Sequence, residues 1–151
     1  KQDINRLKTF ATLSPAPGFS RWVNESTNGE GEAAKLVADT GWVDSDRAER
    51  ARDVLMPLAA EYFLEAKNPA GLPRDPVARF HLHNGARLER INWLGDRSDK
   101  GLRQSAGIMV NYVYNLKHIE DNHEAYVKDG RVTAARAVRG MLSGDRQSNA
   151  G

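Results

Sequence analysis

D-P-V-A-R-F-H-L-H-N-G-A-R-L-E-R-I-N-W-L-G-D, residues Asp75–Asp96, changes its periodicity halfway along. Asp75 before Pro76 is a helix start. The carboxylate accepts from free N–H groups of the first turn, and proline is tolerated at the first helical position, where an N–H has no intrahelical partner. The helix runs through Val77, Phe80 and His81 to Asn84-Gly85, a pair suited to closing a helix. From Ala86 to Leu94 the pattern becomes alternation, with Leu88, Arg90 and Asn92 against Glu89, Ile91 and Trp93. Period two is a strand, here with Ile91 and Trp93 on its apolar face. After a charged turn, Ala106–Leu116 reads as a second strand that pairs antiparallel with the first. Helix and strand interleaved in this way predict an α/β (α+β) domain, a mixed sheet flanked by helices, with few strands for its length.

Working outward, Asn68-Pro69-Ala70-Gly71-Leu72-Pro73 is a loop. Before it, Asp46 and Glu49 make a capping-box start, and Ala51, Val54, Leu55, Leu58, Tyr62 and Phe63 fall at helical spacing. Pro57 inside that stripe predicts a kink or two shorter helices. Asn24–Glu32 reads as a flexible loop or lid, and Phe19–Val23 as a short helix with Trp22 packed beneath it. Thr9–Ser14 has the β-branched and aromatic content of a short buried, central strand, stopped by Pro15-Ala16-Pro17-Gly18. Downstream, 117–129 and 133–142 read as helices, and residues from Ser143 as a frayed, disordered tail. Trp22, Ile91 and Trp93 are placed in the core.

The 151 residues, 40% hydrophobic and 28% charged, suffice for one domain with a real core. Twenty-two basic residues against 20 acidic ones leave +2, and the two signs alternate, as in Arg47, Glu49, Arg50, Arg52 and Asp53. No nucleic-acid partner is expected, because such binding needs basic residues gathered on one face. With no cysteine, thiolate catalysis and cysteine-based metal sites are excluded. The longest charge-free stretches, Thr9–Ser20 and Gln104–Leu116, are 12 and 13 residues. Both fall short of the roughly 20 that a membrane-spanning helix needs. The Lys1-Gln2-Asp3-Ile4 start lacks an apolar signal region, and no Ser-Lys-Leu ending occurs, so a cytoplasmic location is expected.

Four histidines are the obvious chemical candidates. His81 and His83 point to different sides of a helix and have no carboxylate at ligand spacing, so no metal site is expected. His118 and His123 suit a solvated face. His81 taken alone reads as a side chain packed beside Phe80, or as a general acid or base at a helix end that a ligand can approach. Ser14 is a turn former at a strand end, yet strand carboxyl ends are where open α/β sheets bind ligands. It is no nucleophile elbow, since G-x-S-x-G is absent. Tyr112 and Tyr114 share a strand face, so they read as core, with one hydroxyl free to reach a cleft.

Three segments together resemble the catalytic domain of malonyl-CoA decarboxylases: F-A-T-L-S-P-A-P-G-F-S-R-W-V (Phe10–Val23), the Asp75–Asp96 stretch, and K-G-L-R-Q-S-A-G-I-M-V-N-Y-V-Y (Lys100–Tyr114). The resemblance implies a partial GNAT-like acyltransferase fold. Residues 1–142 would be the C-terminal part of the catalytic domain, with the half that holds the CoA pyrophosphate lying upstream. It maps a catalytic serine onto Ser14, a catalytic histidine onto His81 and a site tyrosine onto Tyr114. Asn111 and Arg90 are the supporting substrate-binding candidates, and His83 is left at the surface or behind the site.

The implied activity is decarboxylation of malonyl-CoA to acetyl-CoA and carbon dioxide. No metal or cofactor is implied, CoA being part of the substrate, and a homo-oligomer is. The alternatives are acyl transfer from CoA to an amine, and a non-catalytic piece that needs its upstream half.

Overall fold

The computed structural model describes residues 9–142; residues 1–8 and the expected tail from Ser143 lie outside the described residues. Three strands, β1 (Thr9–Pro15), β2 (Arg87–Asn92) and β3 (Met109–Asn115), form a sheet in the order β1-β3-β2. Both pairings are antiparallel, with Ser14 opposite Val110 and Tyr114 opposite Phe10. The parallel element among the described residues is an isolated bridge from Leu88 to Ala134. The α/β class read from the sequence is the one observed.

β1 corrects one expectation. Among the described residues it is an edge strand, not a central buried one, because β3 returns between β1 and β2. Among its residues only Ser14 is buried, and Leu13 on the opposite face is 56% exposed. β2 corrects another: strict alternation would put Leu88 and Ile91 on opposite faces, yet both are buried. A bulge between Leu88 and Arg90 inserts one residue and turns both inward. Trp93 lies beyond the strand end and stacks on Trp42 at 5.4 Å.

Helices cover the inner face: α1 (Phe19–Ser26), α2 (Gly31–Ala38), α3 (Ala48–Leu64), α4 (Pro76–His83), α5 (Asp99–Ser105) and α6 (Ile119–Asp129), with a 3-10 turn at Gly41–Asp44. Residues 136–142 are also helical. The expected loop over Asn24–Glu32 is shorter than it reads, a turn between α1 and α2 built on Asn28, Gly29 and Gly31 at positive φ. The good helix formers Glu32, Ala33, Ala34, Lys35 and Leu36 carry α2 on directly from Gly31. The charged turn after β2 contains α5, which Ser98 caps by accepting from the Gly101 N–H at 3.0 Å.

α3 begins at Ala48 with no side-chain cap, so the Asp46/Glu49 box does not form. It also runs through Pro57 as one helix. Its buried face, with Leu55, Ala59, Ala60, Tyr62 and Phe63 packed in the core, holds both sides of the proline in register. Trp22 and Ile91 are buried as expected. No helix of the described residues is long and apolar enough to cross a membrane.

Candidate active site

α4 has the start and stop that its sequence dictates. Asp75 is extended, and its Oδ2 accepts from the Ala78 N–H at 2.8 Å; Pro76 occupies the first turn. Asn84 is the C-cap, and Gly85 follows at φ +87°, where a Cβ would lie 2.5 Å from the Ile119 carbonyl oxygen. Only glycine satisfies both the dihedral and the contact. This eight-residue helix carries His81 on its buried side, against the inner face of the sheet.

That face is set by strand alternation. Phe10, Thr12 and Ser14 point the same way along β1, and the register sets them opposite Tyr114, Tyr112 and Val110. His81 reaches both strands at once. Its Nε2 lies 3.2 Å from the Ser14 Oγ and its Nδ1 2.5 Å from the Tyr114 hydroxyl. Thr12 Oγ1 is 3.2 Å from the same serine oxygen. Both ring nitrogens are therefore engaged, which leaves the imidazole one orientation.

Aromatic rings wall this line. Tyr112 stacks on the His81 ring at 4.4 Å and Phe10 on Tyr114 at 4.8 Å, while Phe80 meets His81 edge-on at 5.2 Å. Burial disfavours the imidazolium and lowers the His81 pKa below 6.5. Burial also raises the Tyr114 pKa above 10.0, so its phenol stays protonated. The site rests as a neutral imidazole between two hydroxyls. Ser14 is 6% and His81 8% exposed, so the line opens to a ligand only at its margin.

The structure brings Ser14, His81 and Tyr114 together and leaves Asn111 and Arg90 apart from them. Alternation along β3 turns Asn111 to the outer face, where its Nδ2 donates to the Thr12 carbonyl at 3.1 Å and its Oδ1 accepts from Asn92 at 2.9 Å. Arg90 stands opposite Asn111 on that face and is exposed. His83 is exposed, with its ring against His123 at 4.9 Å. Sequence reasoning missed Thr12 and Phe10, although their spacing from Ser14 on a strand was the signal that could have found them.

The family model for the malonyl-CoA decarboxylase C-terminal domain matches residues 1–151. The chain belongs to the malonyl-CoA decarboxylase family. It is 32% identical to the mitochondrial malonyl-CoA decarboxylases of Anser anser anser and Mus musculus, over 99% and 95% of its length. It spans 35% of the length of each of these curated relatives. Among solved structures, malonyl-CoA decarboxylase from Rhodopseudomonas palustris superposes with a TM-score of 0.83 at 47% identity. The enzyme from Agrobacterium vitis gives 0.81 at 46%. Each match covers 93% of this chain, with 35% and 38% of the respective relative. Family membership thus extends over the whole chain, and the chain corresponds to about a third of a family protein.

Proposed function

We propose that this chain carries the serine–histidine part of a malonyl-CoA decarboxylase site, working without metal or organic cofactor and completed by the rest of the family polypeptide. The observation that carries the proposal is the single hydrogen-bonded line Ser14–His81–Tyr114, built from three separated segments in a chain of this family.

The thioester itself accepts the electrons. When the bond between the carboxylate and the α-carbon breaks, its electron pair becomes the enolate, with charge on the thioester oxygen, and carbon dioxide leaves. The protein's tasks are to orient the carboxylate out of the carbonyl plane, to donate to the developing oxyanion and to protonate carbon. In this reading Tyr114 donates to Nδ1, so Nε2 carries the ring proton and donates to the Ser14 Oγ. The serine O–H is then directed at the malonyl carboxylate or the thioester oxygen. Ser14 O–H delivers the proton to carbon and regains one from Nε2 as the phenolic proton moves onto Nδ1, which keeps the ring neutral. Solvent then restores the proton to Tyr114. The apolar surroundings favour release of neutral carbon dioxide from a desolvated carboxylate. A GNAT-like arrangement of the complete domain, a homo-oligomer and a cytoplasmic location complete the proposal, although curated relatives carry mitochondrial names.

The test is release of carbon dioxide and acetyl-CoA from malonyl-CoA, by this chain alone and joined to its natural upstream sequence. His81→Ala in the longer protein should lower kcat by roughly 10²–10⁴-fold, the usual range for a positioned acid or base. A loss below about threefold with unchanged KM overturns the assignment. Acetyl transfer to an amine without carbon dioxide release would favour the acyltransferase alternative, and oligomer formation without turnover the non-catalytic one.

A further inference from the structure

Asp75 is fully buried, yet an exposed helix start is capped as well by serine or asparagine. Placing a carboxylate inside the protein is unfavourable unless both oxygens find donors. Here they do, and the donors come from different elements. Oδ2 accepts from the Ala78 N–H at the start of α4 and Oδ1 from the Tyr62 hydroxyl of α3 at 2.9 Å. Burial raises the Asp75 pKa, and these hydrogen bonds oppose the rise.

Tyr62 is in turn enclosed by the segment that follows Ser14. Its ring meets Phe19 at 5.7 Å and Trp22 at 5.3 Å. A Cβ on Gly18 would stand 2.8 Å from its hydroxyl oxygen. Between Ser14 and Gly18 lie Pro15, Ala16 and Pro17, whose proline rings limit backbone freedom, so the position of Gly18 constrains that of Ser14. On the other side, Arg79 donates to the carbonyls of Pro73 and Arg74 and ties the chain before the cap to α4. An eight-residue helix has little stability of its own, so its cap and packing determine where His81 stands.

We infer that Asp75 and Tyr62 are positioning residues for the reaction, joining the start of the His81 helix to the segment that follows Ser14 so that imidazole and hydroxyl meet within hydrogen-bonding distance. The inference rests on the reading of Ser14 and His81 given above. The pair acts through geometry, since the hydrogen bonds of the His81 ring go to Ser14 and Tyr114.

The test uses the complete family polypeptide containing this chain, with malonyl-CoA as substrate, and compares Tyr62→Phe, Asp75→Ser and Asp75→Asn. Tyr62→Phe keeps the cap and cuts the tie; Asp75→Ser keeps a cap too short to reach Tyr62. Asparagine retains both links, accepting from Ala78 and donating to the tyrosine oxygen. Displacements of an ångström cost up to about 100-fold. Tyr62→Phe and Asp75→Ser should therefore lose about tenfold or more in kcat with KM within about twofold, assayed well below their melting temperatures. Asp75→Asn should stay within about threefold of the parent. A purely structural pair would lower the melting temperature and leave kcat of the folded fraction within about twofold, which overturns the inference. Equal losses in Asp75→Asn and Asp75→Ser overturn it as well. His81→Ala in the same series separates the two readings. If it collapses while Tyr62→Phe does not, only the inference fails; if it keeps full activity, the reading of His81 fails and takes the inference with it.

Discussion

Gly18→Ala should be destabilising for a reason visible neither in its own backbone nor in its own helix. Gly18 sits at φ −102° and ψ 3°, a negative-φ conformation open to alanine, so no left-handed strain arises. Removing glycine's extra freedom from the unfolded chain would by itself stabilise by about 0.4–1 kcal/mol. Against this stands the Tyr62 hydroxyl, 2.8 Å from the new Cβ where ordinary contact begins at 3.4 Å. One of the two must retreat by about 0.6 Å, and the tyrosine ring is held by Phe19, Trp22 and Phe63. The bond from Tyr62 to Asp75 bears the displacement, and a hydrogen bond to a charged group contributes about 1.5–3 kcal/mol. The net expectation is a loss of about 0.5–2.5 kcal/mol. Urea unfolding followed by tryptophan fluorescence suits the measurement, since Trp22 lies 5.3 Å from the Tyr62 ring. The decisive comparison is the same substitution in a Tyr62→Phe background, where no hydroxyl meets the methyl and Gly18→Ala should be neutral or stabilising. Equal costs in both backgrounds would refute the steric reasoning.

Four further outcomes follow from the same structure. The pH profile of kcat/KM should show an acid limb below pH 6.5, the ordinary histidine value, because burial lowers the His81 pKa and the line needs a neutral ring. Between that depressed value and 6.5 the unfolded chain binds more protons at His81 than the folded one. Stability contributed there rises with pH and is lost on acidification, and His81→Gln should flatten the dependence in a titration of urea midpoints. Tyr112→Phe should raise stability by about 1 kcal/mol or more, because the Tyr112 hydroxyl is buried without a partner among the described residues; a lower melting temperature would show that it is satisfied. Trp42→Ala should cost about 3–5 kcal/mol in urea unfolding, since the residue is 1% exposed, stacks on Trp93 and donates to the Leu36 carbonyl at 2.9 Å. A cost below about 1 kcal/mol would mean that the site collapses freely around the loss.

Local signals were legible where one residue type answers one backbone need. Asp75-Pro76 and Asn84-Gly85 bound α4 as read, because an N-cap acceptor, a proline at the first turn and a glycine at positive φ each act within a few residues. Where neighbouring signals competed, local reading failed. The glycines at 29 and 31 belong to a tight turn, and their run of small polar neighbours hid the start of α2. The Asp46/Glu49 pattern names a cap that the chain does not use, since α3 begins at Ala48 with no side-chain cap. Leu88 and Ile91 share a face only because of the bulge between them, which alternation cannot anticipate.

Composition, capping chemistry and strand period by themselves determined that this chain is an α/β domain with a helix start at Asp75, a helix stop at Gly85 and two strands that pair antiparallel. The family resemblance, carried by long ordered motifs, pointed to Ser14, His81 and Tyr114. Only the tertiary structure decided that these three share one line while Asn111 and Arg90 stand on the other face of the sheet. It also put β1 at the edge of the sheet among the described residues, because β3 inserts between strands that lie far apart in the chain. The physical reason is the range of the forces. Caps and turns are satisfied within four or five residues, whereas the contacts from Ser14 to His81 and from His81 to Tyr114 span 67 and 33 positions. Contacts of that span exist only after strand register, a bulge and a buried carboxylate have placed their elements together.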